Sequence, residues 1–97
     1  MPRVELSRRA VDNLDRLIAT HSLPDDTRER VQRILRGLAS LPPLGRELEG
    51  RWADHRVLLG PWRWMLLLYR IDDDDDRVVV VKVQDARSSS AATSRGR

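Results

Sequence analysis

The sequence predicts an α+β fold in the order β-α-α-β-β-β, with an N-terminal helical hairpin packed on a small antiparallel sheet. Two observations carry this. Apolar residues recur at three- and four-residue spacing between residues 7 and 38, whereas the second half holds HRVLL, WRWMLLLYRI and RVVVVKV, branched and aromatic runs divided by turn signals. A third observation sets the scale: 97 residues and 11.2 kDa without cysteine suit one domain whose modest core is held by burial alone. Residues 1–87 are expected to form that domain, and SSSAATSRGR, residues 88–97, a flexible C-terminal tail, being small, polar and without period.

Taken in order, RVEL at 3–6 alternates polar and apolar and reads as a short strand ahead of a Ser7 cap signal. From Ser7 to Thr20, Ala10, Val11, Leu14, Leu17 and Ile18 share one helical face. HSLPDDT interrupts it: Pro24 disfavours helix before itself, while Asp25, Asp26 and Thr27 can cap a second helix striped by Val31, Ile34, Leu35 and Leu38. Gly37 and the pair Pro42-Pro43 end that helix. Gly60-Pro61 makes the first turn between strands, and the unbroken apolar runs Leu66–Leu68 and Val78–Val81 indicate strands covered on both faces or central in the sheet.

The five aspartates 72–76 connect the last two strands. Five residues are an ordinary hairpin connection, and aspartate tolerates turn geometry through local side-chain bonds. A calcium loop starting at Asp72 would need glycine and glutamate where Arg77 and Val83 stand. A solvated tip is therefore expected, with neither metal nor cofactor.

Absence of cysteine excludes a disulfide framework and a thiolate metal site. MPRVELSRRA has no apolar segment of signal-peptide length and the run Trp64 to Tyr69 is too short to span a bilayer, so a cytoplasmic protein without membrane contact is expected. The formal charge is +3, Lys82 is the only lysine, and every other cation is arginine. Guanidinium forks suit phosphate and carboxylate, so a polyanionic target or an acidic partner would fit; a GC-rich genome would produce the same bias.

The stretch LPPLGRELEGRWADHRVLLGPWRWMLLLYRIDDDDDRVVVVKVQDAR resembles the RelE/ParE superfamily of bacterial toxins of type II toxin–antitoxin systems. The matching elements are the bend at Pro42 and Pro43, Leu48 with Gly50, the basic Arg56 on a strand, the Gly60 turn, and the aromatic-Arg pair Trp62-Arg63, in an order that extends the resemblance from Val4 to about Arg87. It implies a toxin held by a cognate antitoxin in a hetero-oligomer, and two modes of action. A RelE-like toxin is an mRNA interferase that arrests growth by cutting messenger RNA on the ribosome. That is the leading expectation, a metal-independent endoribonuclease with RNA-binding basic side chains. A ParE-like toxin instead binds and inhibits DNA gyrase without catalysis, and a degenerate, inactive member is the third reading.

For cleavage, the resemblance implies Arg56, Arg63, Arg87 and Tyr69 as the catalytic candidates, with Arg63 and Arg87 steadying the phosphate and Arg56 positioning it. Strand alternation would put Arg63, Met65, Leu67 and Tyr69 on one face, so that Arg63 and Tyr69 line one groove. Each has a plainer reading: Arg63 as a strand-tying arginine, Arg56 and Arg87 as surface cations, Tyr69 as a half-buried strand aromatic. The pattern also departs from a nuclease. Arg63 stands six residues before Tyr69 where the family has three, Leu58 occupies a position that is often basic, and nothing after Arg87 is tyrosine or histidine. His55 and the three tryptophans, Trp52, Trp62 and Trp64, read as ordinary solvated or packing residues.

Overall fold

A computed structural model describes residues 2–88 of the chain. Strand β1 (Arg3–Leu6) leads into helix α1 (Arg8–Thr20) and helix α2 (Thr27–Ser40), followed by strands β2 (Arg46–Glu47), β3 (Arg56–Leu59), β4 (Met65–Asp72) and β5 (Arg77–Asp85). Short 3-10 turns at Pro42–Leu44 and Gly50–Trp52 flank β2. The expected tail lies, but for Ser88, outside the described residues. No helix among the described residues is long and apolar enough to cross a membrane.

The helical hairpin and the three C-terminal strands form as the apolar patterns require, and one strand is added. β2 is two charged, exposed residues, and nothing in Arg46-Glu47 signals a strand; β3 supplies the ladder that creates it, pairing Arg46 with Val57 and Glu47 with Arg56. The addition alters the sheet. Its order is β1-β5-β4-β3-β2, and each connection reverses the chain, so β2 contributes a reversal that turns β1 parallel to β5 and makes the sheet mixed. The β4 strand begins at Met65, leaving Trp62, Arg63 and Trp64 in the preceding turn, which Gly60 closes by donating its N–H to the Met65 carbonyl at 2.8 Å.

Both helices lie on one face of the sheet. Ser7 caps α1 by accepting the Ala10 N–H at 3.0 Å. Asp26 precedes α2 without a side-chain cap bond and pairs with Arg30 instead. Ala10 and Leu14 from α1 and Val31, Leu35 and Leu38 from α2 meet Met65, Leu67, Tyr69, Val78, Val80 and Val83 in the main core. The opposite face carries a smaller cluster of Leu48, Val57, Leu66 and Leu68, edged by Trp52, Val81 and Ala86. Consequently β4 is buried from Met65 through Tyr69 without interruption.

Of the five aspartates expected to connect the strands, Asp73 to Asp76 form the exposed hairpin tip, while Asp72 is half-buried as the last residue of β4, paired with Arg77. Asp76 takes a left-handed φ of 50°, which aspartate accepts more readily than most residues, and its N–H bonds the Asp73 carbonyl. Arg77 anchors the base through Asp72 at 3.2 Å and Glu5 at 3.1 Å. Among the described residues no group of side chains is arranged to hold a metal ion.

A bulge in β5 determines which side chains reach the open face. Leu68 pairs with Lys82 but Tyr69 pairs with Val80, so Val81 has no partner and the alternation slips by one residue. Val78, Val80 and Val83 therefore all face the helices, and Lys82 turns to the open side. The backbone groups freed by the slip are satisfied from α1: the Ser7 hydroxyl donates to the Val81 carbonyl at 3.0 Å, and the Asn13 side-chain oxygen accepts the Val83 N–H at 3.2 Å.

A second fixture holds the connection from α2 into β2. The fully buried Tyr69 donates its hydroxyl to the Pro42 carbonyl at 2.7 Å and accepts the Gly45 N–H at 2.8 Å. Gly45 is needed because a Cβ there would sit 2.7 Å from both that hydroxyl and the Val57 carbonyl. Tyr69→Phe keeps the ring but strands a buried donor and acceptor, and should lower the unfolding free energy by about 1–3 kcal/mol with an unchanged m-value. Urea denaturation reads this directly; a loss below roughly 0.5 kcal/mol would mean the hydroxyl contributes no more than an ordinary surface group.

Candidate functional site

The open face of the sheet carries a cationic cleft of about 410 Å3, lined by Arg9, Arg51, Trp52, His55 and Lys82. These come from separate parts of the chain. Arg9 stands in the first turn of α1, which Ser7 fastens over the β5 bulge, and Lys82 rises beside it because of that bulge. Arg51 and Trp52 follow Gly50, whose φ of 66° is a backbone state that favours glycine. His55 ends the same connection, its ring edge-on to Trp52 at 5.1 Å, while the Lys82 ammonium lies 5.7 Å from the Trp52 ring centre. Among the described residues no carboxylate lines the cleft.

His55 is the unusual member. Its Nδ1 is buried and has no hydrogen-bond partner. Burial, reinforced by the nearby Arg70 charge and opposed by Asp54, lowers its pKa, so the imidazole is neutral at pH 7. No motif or periodicity in the sequence singles out Arg9, Arg51 or Lys82 as a cluster. Lys82 did carry a signal, a lone cation inside an apolar strand, but its direction depended on the bulge.

The four side chains expected from the family resemblance divide into two pairs. Arg56 and Tyr69 are cross-strand partners and face the helix side. Arg56 donates to the Gly45 carbonyl at 2.9 Å and to Glu47 at 2.8 Å, with a longer contact to the Pro43 carbonyl at 3.3 Å. It thus fastens the same connection as Tyr69. Burial raises the Tyr69 pKa, against the opposing influence of the Gly45 N–H and the Arg56 charge, which keeps the phenol protonated as a donor.

Arg63 and Arg87 belong to the other end of β4. Arg63 is exposed in the turn before the strand rather than on it, so it does not share a strand face with Tyr69. Arg87 follows β5, whose Asp85 pairs with Met65. Tyr69 lies four residue steps along β4 from Met65, about 13 Å at roughly 3.3 Å per residue. The two pairs therefore do not converge on one groove.

Arg87 is part of a stacked cluster. Its guanidinium forks onto Asp85 with both bonds at 2.9 Å and covers the Trp64 ring at 4.8 Å. Trp64 stacks on Trp62 with centroids 6.2 Å apart, Arg30 covers Trp62 at 5.7 Å, and His21 reaches both Trp64 and Asp85. Hydrogen bonding from Arg87 holds the Asp85 carboxyl at about 2. The folded state thus favours the ionised form. The stability this adds is intact above the ordinary aspartate pKa of about 3.9 and is lost as pH falls from there towards about 2. Asp85→Asn should flatten the stability-against-pH curve in that window, measured by thermal unfolding from pH 5 down to about 2; an identical curve would mean the fork is too solvated to matter.

The chain's relations agree with this architecture. Residues 4–89 match the family model described as the ParE toxin of a type II toxin–antitoxin system, parDE. Among curated proteins none matches the chain in sequence. Among solved structures, it is similar to the Mycobacterium tuberculosis RelBE2 toxin–antitoxin complex at 28% identity and a TM-score of 0.64, covering 88% of this chain and 99% of that one. It also superposes on the intact Escherichia coli RelBE complex (17% identity, TM-score 0.67, 91% and 100% covered) and on a chromosomal ParDE system from Pseudomonas aeruginosa (11%, 0.68, 90% and 98%). Those two show a shared fold. With the family model spanning nearly all of the described residues, the chain belongs to the ParE toxin family, within the RelE/ParE superfamily of type II toxin–antitoxin systems.

Proposed function

We propose that this toxin acts by occupying its target, DNA gyrase, rather than by cutting messenger RNA. The observation that carries this reading is the division of Arg56, Arg63, Arg87 and Tyr69 between two ends of β4, two of them bound into the Pro42–Glu47 connection. In-line cleavage of RNA needs a base, a cationic brace and an acid within reach of one phosphate. A Tyr69 hydroxyl held between a carbonyl and an amide is poorly placed for any of these tasks. The family model, which describes ParE toxins, supports the same reading.

In this proposal Arg63 and Arg87 contribute to the target-facing end of the sheet, with Trp64 beneath Arg87, while Arg56 and Tyr69 act by holding the scaffold. An arginine backed by an aromatic ring suits a protein interface. The proposed partner in the resting state is a cognate antitoxin, the relation that the RelBE and ParDE complexes record for their own chains. A groove between β1 and the helices, lined by Leu6, Val11, Leu14 and Val31 with the Arg28–Asp15 ion pair beside them, offers an apolar seat for an amphipathic segment.

The test pairs two assays on purified protein. Gyrase supercoiling should be blocked while messenger RNA in a translation extract stays intact, and Arg63→Ala should weaken the block at least about fivefold, roughly 1 kcal/mol of contact energy. Transcripts cut at A-site codons with supercoiling undisturbed would overturn the proposal in favour of ribosome-dependent cleavage.

A further inference from the structure

The open-face cleft is not used by the gyrase reading, and its composition points to a small ligand. Arg9, Arg51 and Lys82 are drawn to one concavity by three separate devices: the Ser7 cap on the bulge, the left-handed Gly50, and the bulge itself. Gathering like charges opposes folding unless something offsets the repulsion, and among the described residues no carboxylate lines this space to do so. An anion would. The cleft is also aromatic on one side, where Trp52 and His55 meet edge to face.

We infer that this cleft binds a nucleotide, with Arg9, Arg51 and Lys82 holding the phosphate while Trp52 and the His55 imidazole receive the base. The chemistry of each part matches. Guanidinium forks and an ammonium make charge-assisted bonds to phosphate oxygens, and an indole face stacks on any base. A neutral imidazole can offer a ring nitrogen to the base edge or sugar, which a charged ring could do only as a donor. At about 410 Å3 the cleft lies within the size range of small-molecule sites. A bare anion would leave the aromatic side unused. The same nucleotide chemistry is presented by a free mononucleotide and by one residue of a single strand.

The experiment follows backbone amide shifts of the full chain during titration with AMP, adenosine, inorganic phosphate and a short oligo-adenylate. AMP should saturate shifts at residues lining the cleft, with adenosine and phosphate each at least about tenfold weaker. Arg51→Gln and Lys82→Gln, both verified as folded by circular dichroism, should each weaken AMP at least about tenfold, whereas Arg33→Gln on the exposed side of α2 should not. Tighter binding of the oligonucleotide than of AMP identifies a strand as the source, and equal binding identifies the free nucleotide. Shifts elsewhere than the cleft, unchanged affinity in both cleft variants, or phosphate binding as well as AMP would each overturn the inference. None of these outcomes bears on gyrase inhibition, which is read separately.

Discussion

The burial of β4 on both faces constrains everything else in this molecule. From Met65 to Tyr69 every residue is buried, so one face must have a helical layer and the other a second apolar cover. α1 and α2 supply the first, and Leu48, Val57 and Trp52 help supply the second. At about 1.5–3 kcal/mol for each large apolar side chain buried, this strand is a major source of the driving force. A chain this small has little margin beyond it. The neighbours of β4 are therefore required to be β3 and β5, and the edges fall to β1 and the two-residue β2.

Two fixtures then convert this core into a surface with chemistry. Tyr69 is the last buried residue of β4, and its hydroxyl reaches across to Pro42 and Gly45, joined there by the Arg56 guanidinium. On the far side the bulge at Val81 turns Lys82 outward, with Ser7 and Asn13 making good the lost backbone bonds. The first fixture uses up two polar side chains for structure. The second frees one for binding, and the same contact from Ser7 brings Arg9 over the sheet. Structure and candidate function thus draw on different residues of adjacent strands.

Much of the fold was legible in the residues themselves. The cap at Ser7, the stripes of both helices apart from the exposed Val11, the break at Pro24, the double-sided run Leu66–Leu68 and the central place of Val78–Val81 in the sheet all stand where local pattern put them. β2 was not legible, since Arg46-Glu47 becomes a strand only by pairing with β3, and the parallel pairing of β1 with β5 depends on it. The site was less legible for a related reason. Period-two alternation placed Arg63 on a strand face with Tyr69, but the strand starts two residues later and the turn carries Arg63 away. Likewise Lys82 would face the helices if alternation held through β5, and only the bulge reverses it. Long-range pairing and register slips are tertiary facts, and single-sequence periodicity does not contain them.

The central claim is that Tyr69 locks the α2-to-β2 connection to the buried strand, so that this region is scaffold and not a mobile catalytic groove. Native-state amide hydrogen exchange at Gly45 tests it most directly. If the claim holds, the Gly45 amide, bonded to a buried phenol outside any regular ladder, exchanges only with global unfolding, at the same free energy as the amides of Met65 to Tyr69. Exchange at Gly45 several kcal/mol easier than in β4 would contradict the account, because it would reveal a connection that opens while the core stays closed.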